Sequence, residues 1–311
     1  MSFAVSLILP HRRGLPRGHW GQPRWSLTML AGAGALMAGG MGIAGMAQAT
    51  VINNANTTTI YQDLFNRGSS GSYVNLNGAT PTTDNYAGTP TWNAYDNTTS
   101  AFQDVYTDGT QLDMPHPNAS QVNGFLPFAP QAGHIYDLSA AMAYTNSTAT
   151  GNWMALGFSQ YNYNDRPGGS GTTDNTGFTT FNPYAWLLQR AEADTGGGVQ
   201  AFMGVSTQNG FGNIGSSPAA GVFETYDVVL NTSGSLWTVA IYQNGTQLGA
   251  TKTYTTNPNI NFVGLGAISG VSAEVQNFTL TDTPVPAPAT LALFAVGGLA
   301  ILATRRRQRS D

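Results

Sequence analysis

The chain of 311 residues contains no cysteine, so neither disulfides nor thiolate metal sites are open to it. Charge is scarce: Asp, Glu, Lys and Arg make up 9% of the residues, and Lys252 is the single lysine. Of four histidines, only His116 and His134 lie away from the ends, too few for a histidine metal cluster. No Gly-x-Ser-x-Gly elbow is present, and Gly168-Gly169-Ser170-Gly171 lacks the lysine and the helix of a phosphate-binding loop. These absences remove most cofactor-dependent and nucleophilic chemistries from consideration.

Basic residues are concentrated at the two ends. Arg12, Arg13, Arg17 and Arg24 fall in the first 49 residues, which hold no acid, and Arg305, Arg306, Arg307 and Arg309 close the chain. The middle keeps four basic residues against fifteen acidic ones, a net charge near −11. Such a surface repels phosphate backbones, which argues against nucleic acid as a partner.

The N-terminal end has the three parts of a secretory signal: a basic region to Arg24, an apolar stretch from Leu27 to Met46, and the small-residue pattern Ala47-Gln48-Ala49. Cleavage by signal peptidase is expected between Ala49 and Thr50. Arg12-Arg13-Gly14-Leu15 is a poor match to a twin-arginine signal, and an uncleaved anchor is the other alternative.

At the opposite end, Val285-Pro286-Ala287-Pro288-Ala289-Thr290 precedes an apolar run from Leu291 to Ala303 and the cluster Arg305-Arg306-Arg307. A helix over 289–304 rises about 24 Å, marginal for a hydrocarbon core of roughly 30 Å but sufficient for a temporary anchor. Arginines before the first apolar segment and after the second hold both ends in the cytoplasm and place the acidic middle outside the inner membrane. The tail resembles the PEP-CTERM sorting signal of exopolysaccharide-producing Gram-negative bacteria, with Ala287 in place of the acidic residue between the prolines. That resemblance implies processing by an exosortase, an inner-membrane-anchored precursor, and a final place at the cell surface or in the extracellular matrix.

Between the ends, 50–283 is rich in Asn, Thr, Ser, Gly and Tyr yet carries enough aromatics and aliphatics to bury a core. No amphipathic helix is evident. Strands are expected at 58–65, 135–144, 153–159, 185–190, 199–205, 223–230, 236–242, 246–254, 260–268 and 273–281. Asn231-Thr232-Ser233-Gly234 and Asn244-Gly245 supply hairpin turns, the second of type I′. Antiparallel strands with polar turns predict an all-β, two-sheet sandwich in one domain. Asp63 to Arg67, Leu126-Pro127-Phe128, Gly133 to Leu138, Trp153 to Phe158 and Val275 to Leu280 carry a resemblance to the concanavalin A-like, laminin-G-like jelly rolls. It implies a curved sandwich whose concave face often meets sugars.

Glycosidases of that fold use Glu-x-Asp-x-x-Glu. Glu192-Ala193-Asp194 begins the pattern, but Gly197 stands where the second catalytic carboxylate belongs, so no catalytic residue is assigned. Trp92, Tyr161, Tyr163, Tyr184 and Trp186 are candidate stacking platforms for sugar rings, with filling of the core as the alternative. No cofactor is expected, calcium excepted: Asn164, Asp165 and Asp174 concentrate oxygen ligands in one long loop. His134 is expected to make a structural hydrogen bond. The expected role is that of a non-enzymatic glycan-binding protein whose partner is extracellular polysaccharide; the alternatives are a purely structural or adhesive matrix component, and a carbohydrate hydrolase.

Overall fold

A computed structural model describes residues 56–69, 72–96, 105–114, 121–145, 153–161, 183–190, 198–203, 212–268 and 273–286. The signal region, the sorting-tail helix with its arginines and the candidate calcium loop lie outside the described residues. So do His116, Tyr163 and the Glu192–Asp194 region.

The longest strands are those whose apolar residues recur at every second position. Three of them build the middle of one sheet: β8 (His134–Tyr144), β13 (Glu224–Asn231) and β17 (Ala273–Pro284). On β13, Tyr226, Val228 and Leu230 are buried while their neighbours face outward. This is the alternation of a sheet with one face on a core and one face solvated. β14 (Thr238–Gln243) and β15 (Thr246–Thr253) extend this sheet at one side. The expected turn joins them, with Asn244 at φ 50° and Gly245 at φ 74°. Both values belong to the left-handed region that a type I′ turn requires.

On its other side β17 changes partner partway along. Val275 pairs with β6 (Leu112–Met114), and Phe278 to Asp282 pair with β1 (Thr58–Asp63). The change occurs at a bulge between Gln276 and Thr279, where Asn277 takes φ 53°. Short strands β2 (Val74–Asn75), β3 (Thr83–Asp84) and β5 (Tyr106–Thr107) complete a ten-stranded sheet.

The second sheet has seven strands. In spatial order they are β12 (Gly212–Gly215), β11 (Val199–Phe202), β10 (Pro183–Arg190), β9 (Trp153–Ser159), β16 (Phe262–Ile268), β7 (Gln121–Pro127) and β4 (Asn93–Asp96). All strand pairs in both sheets are antiparallel. The two inner faces enclose a core that includes Leu138, Leu156, Phe158, Val228, Ile241, Leu265 and Leu280. Each such side chain stabilises the fold by about 1.5–3 kcal/mol on burial. The expected all-β, two-sheet antiparallel sandwich is therefore what the chain forms.

Two differences from the expectation bear on the site. Gln121–Pro127 is a strand although it contains Asn123-Gly124, a turn dipeptide; Gly124 is needed there because a Cβ would lie 3.2 Å from Leu76 and 3.3 Å from Trp92. The stretch 68–96, where no strand is expected, contains β2, β3 and β4.

Candidate functional site

β4 is the edge strand of the seven-stranded sheet, and its neighbours set the geometry beside it. Asn93 pairs with Phe125, Phe125 with Gly264, and Pro127 with Phe262. Asn93, Phe125, Pro127 and Phe262 thus share the outer face. The chain before β4 folds back beside them, held by backbone bonds from Gly78 N–H to Trp92 O (2.8 Å) and from Trp92 N–H to Ala79 O (2.9 Å). Asn77 fixes the same corner: its Oδ1 accepts from Ala94 N–H at 3.1 Å.

The result is a cleft of about 520 Å³, lined by Asn77, Thr89, Thr91, Asn93, Phe125 and Phe262 together with Gly78, Pro90, Trp92 and Pro127. None of these residues is ionisable. Asn93 Oδ1 is buried without a hydrogen-bond partner. A buried amide oxygen left unpaired costs about 1–3 kcal/mol. Among the described residues the cleft therefore offers the Phe262 ring, amides and hydroxyls, and no acid or base.

Away from the cleft the same outer face is aromatic and buried. Trp186, Phe202 and Trp153 form a cluster with Phe125, Ala155 and Leu188, and Tyr161 packs against it. The Trp186 and Phe202 rings stack with centroids 4.4 Å apart and planes at 20°. Glycines make room for it: a Cβ on Gly264 would meet Phe125 Cδ1 at 2.6 Å, and one on Gly157 would meet Trp186 Cβ at 2.3 Å.

The expected stacking residues separate. Trp92 is 1% exposed, belongs to the core between the sheets and donates its indole N–H to Asp63 Oδ2 at 2.7 Å. Trp186 is fully buried in the outer-face cluster, and Tyr161 is half-buried at its border. Tyr184 lies on β10, and nothing is described of its side chain. Among the candidates whose side chains are described, Trp92 alone borders the cleft; Asn77, Thr91, Asn93, Phe125 and Phe262 are residues that sequence reasoning missed.

The carboxylates lie elsewhere. Asp137 on β8 and Asp227 on β13 are diagonal neighbours on the outer face of the ten-stranded sheet, since Asp227 pairs with Ser139 and Asp137 with Val229. Burial pushes the Asp137 carboxyl up to about 7, with the charge of Asp227 adding to the effect. Asp227 is raised by burial against a hydrogen bond from Ser139. On the same face, burial pushes Asp113 up to about 6. Among the described residues no group of three or more His, Asp or Glu is placed to hold a metal ion. The carboxyl that is fully buried, Asp63, anchors the β1 end: it accepts from Arg67 Nη2 at 2.7 Å, from the Trp92 indole and from Phe65 N–H at 2.9 Å.

At the far end of the ten-stranded sheet the last strand passes directly into the tail. Pro284 pairs with His134, and Val285 N–H donates to Gly133 O at 2.8 Å. His134 makes the expected structural bond, with Nδ1 2.7 Å from Asp282 Oδ1. Among the described residues, which end at Pro286, no helix is long and apolar enough to cross a membrane.

No curated protein matches the chain. Several solved structures do. The carbohydrate recognition domain of Emp47p is 10% identical, with a TM-score of 0.46 over 74% of this chain and 98% of that one. An endo-1,3-β-glucanase from Streptomyces sioyaensis is 15% identical, with a TM-score of 0.44 over 75% of this chain and 98% of that one. A Bacillus subtilis protein of unknown function with a galectin-like fold is 10% identical, with a TM-score of 0.43 over 73% of this chain and 97% of that one. The tail gives the specific match: residues 284–307 are a PEP-CTERM protein-sorting motif.

Proposed function

We propose that this chain is an exported protein, sorted through its tail to the cell surface or extracellular matrix, whose sandwich binds uncharged polysaccharide without hydrolysing it. The observation that carries the binding assignment is the cleft beside β4. Its amides and hydroxyls suit sugar hydroxyls, and the half-buried Phe262 offers a ring face at its border. Hydrolysis of a glycosidic bond needs two positioned carboxyls, and among the described residues the cleft lining supplies none. The carboxyls raised by burial stand on the outer face of the other sheet.

The tail supports the sorting half of this reading. A PEP-CTERM motif implies an exosortase as processing partner and export as a precondition.

Retention on neutral polysaccharides tests the binding half. The mature chain is expected to be retained, and Phe262→Ala and Asn93→Ala are each expected to weaken retention about three- to tenfold, the range for one lost ring contact or hydrogen bond. Uniform lack of retention, or retention that both substitutions leave unchanged, removes the cleft from the account. Release of reducing ends from any of these polymers would overturn the non-enzymatic assignment.

A further inference from the structure

The tail match begins at Pro284, and the sandwich has not ended there. Strand β17 runs to Pro284, and Val285 N–H is still bonded to Gly133 O. The first residues of the sorting motif therefore belong to the fold as well as to the motif.

Three further contacts hold this strand end. Asp282 is paired with His134 at 2.7 Å, the Thr283 and Thr57 hydroxyls meet at 2.9 Å, and Thr283 is backbone-paired with Ile135. The surface they close onto is firm. Gly133 N–H donates to Thr232 O at 3.0 Å, and His134 O accepts from Thr232 N–H at 2.8 Å. His134 N–H donates to the Thr232 hydroxyl at 3.0 Å, and Thr232 is 1% exposed.

Little chain separates this attachment from the apolar run that starts at Leu291. Pro286 to Thr290 are five residues, which span at most about 18 Å when fully extended. A processing enzyme that reads the six residues Val285 to Thr290 as extended backbone needs about 20 Å of free chain. The attached domain leaves it less than that.

We infer that the folded sandwich gates its own sorting: the end of β17 is a latch, and the enzyme takes Val285 only when that end opens away from β8. The inference rests on the reading of the tail as an exosortase substrate. Local opening at a strand end requires far less free energy than global unfolding, so the latch slows processing without forbidding it.

The test follows tail removal from the full chain in exosortase-bearing cells. An insertion of ten Gly and Ser residues between Thr283 and Pro284 frees the motif and leaves β17 paired up to Thr283. It is expected to speed tail release about tenfold, the factor that one or two lost hydrogen bonds allow. His134→Ala, which removes the Asp282 pair, is expected to speed it less. Hydrogen exchange on the intact full chain in detergent reads the latch without the enzyme, and the Val285 amide is expected to exchange well below the unfolded-chain rate, though faster than amides in the middle of β17. Release at an unchanged or lower rate in the insertion variant overturns the latch, as does a Val285 amide that exchanges at the unfolded-chain rate. If neither chain is processed while Val285 is protected, the exosortase reading of the tail fails, and the gate falls with it.

Discussion

The outer face of the ten-stranded sheet carries hydroxyls and carboxylates, with Ser139, Thr279 and Thr281 beside Asp137 and Asp227, whereas that of the seven-stranded sheet carries Phe125, Trp186, Leu188 and Phe202. One sandwich thus contains a sheet of each kind. On β13 burial alternates residue by residue; on β9 all seven residues are buried. The alternating sheet has one core to serve, and the uniformly buried sheet has two. Where the second apolar layer reaches the edge strand β4, its last rings border a polar corner, and the cleft is that border. On the ten-stranded sheet the carboxylates are instead interspersed with Val229, Ala240 and Tyr242 on the same outer face.

Removing a large ring from the seven-stranded face breaks the comparison most severely if the outer layer is a true core. Trp186→Ala is expected to destabilise the fold by about 3–5 kcal/mol, as for a residue between the sheets. Chemical denaturation measures it; a loss under about 1 kcal/mol would mean that the outer layer contributes little.

Next in size is the close approach of rings to glycines. Gly264→Ala places a methyl group 2.3 Å from Gly124 O and 2.6 Å from Phe125 Cδ1, and the first of these is backbone that cannot swing away. The expected cost is about 1–3 kcal/mol, with Phe125 displaced and polysaccharide retention reduced as well. A denaturation midpoint equal to that of the unsubstituted protein would show that the sheet accommodates the methyl group.

These two residues also show where sequence pattern is informative and where it is not. Trp153 to Ser159 reads as a strand because β-compatible apolar residues run together, and Asn244-Gly245 reads as a turn because two adjacent residues suffice to define it. The cleft depends on Asn77, Asn93, Phe125 and Phe262, which come from four separate parts of the chain, so no local pattern marks it. Asn123-Gly124 conceals β7 because the glycine is there for Leu76 and Trp92, not for a turn. Trp92 lies in a stretch rich in Gly, Asn and Thr and so reads as a surface platform. Its partner Asp63, 29 residues earlier, is what places it inside. The sorting motif was legible because it is one contiguous stretch, residues 284–307, that draws on no residue elsewhere in the chain for its pattern.

The ten-stranded face responds to pH through its buried carboxyls. Asp137 holds its proton up to about 7 in the folded state, against an ordinary value of 3.8. The folded protein therefore binds more protons than the unfolded chain between about pH 4 and 7, and stability falls as pH rises through that window. Asp113, raised to about 6, acts in the same direction over a narrower range. Asp137→Asn keeps the shape and removes the titration. Allowing for partial exposure, it is expected to gain about 1 kcal/mol at pH 8 and nothing near pH 4. Denaturation midpoints measured across that range would contradict the assignment if the two proteins stayed parallel.

The smallest expected effect completes the contrast. Thr281 is half-buried on the outer face of β17, opposite Asp137 on β8 and Thr59 on β1, and belongs to neither buried apolar cluster. Thr281→Ala is therefore expected to change stability by less than about 0.5 kcal/mol, the scatter of ordinary surface substitutions. The value is useful because β17 is also the strand that leads into the tail. If Thr281→Ala cost as much as Gly264→Ala, the outer face of the ten-stranded sheet would be contributing packing, and the difference between the two faces would lie in polarity alone.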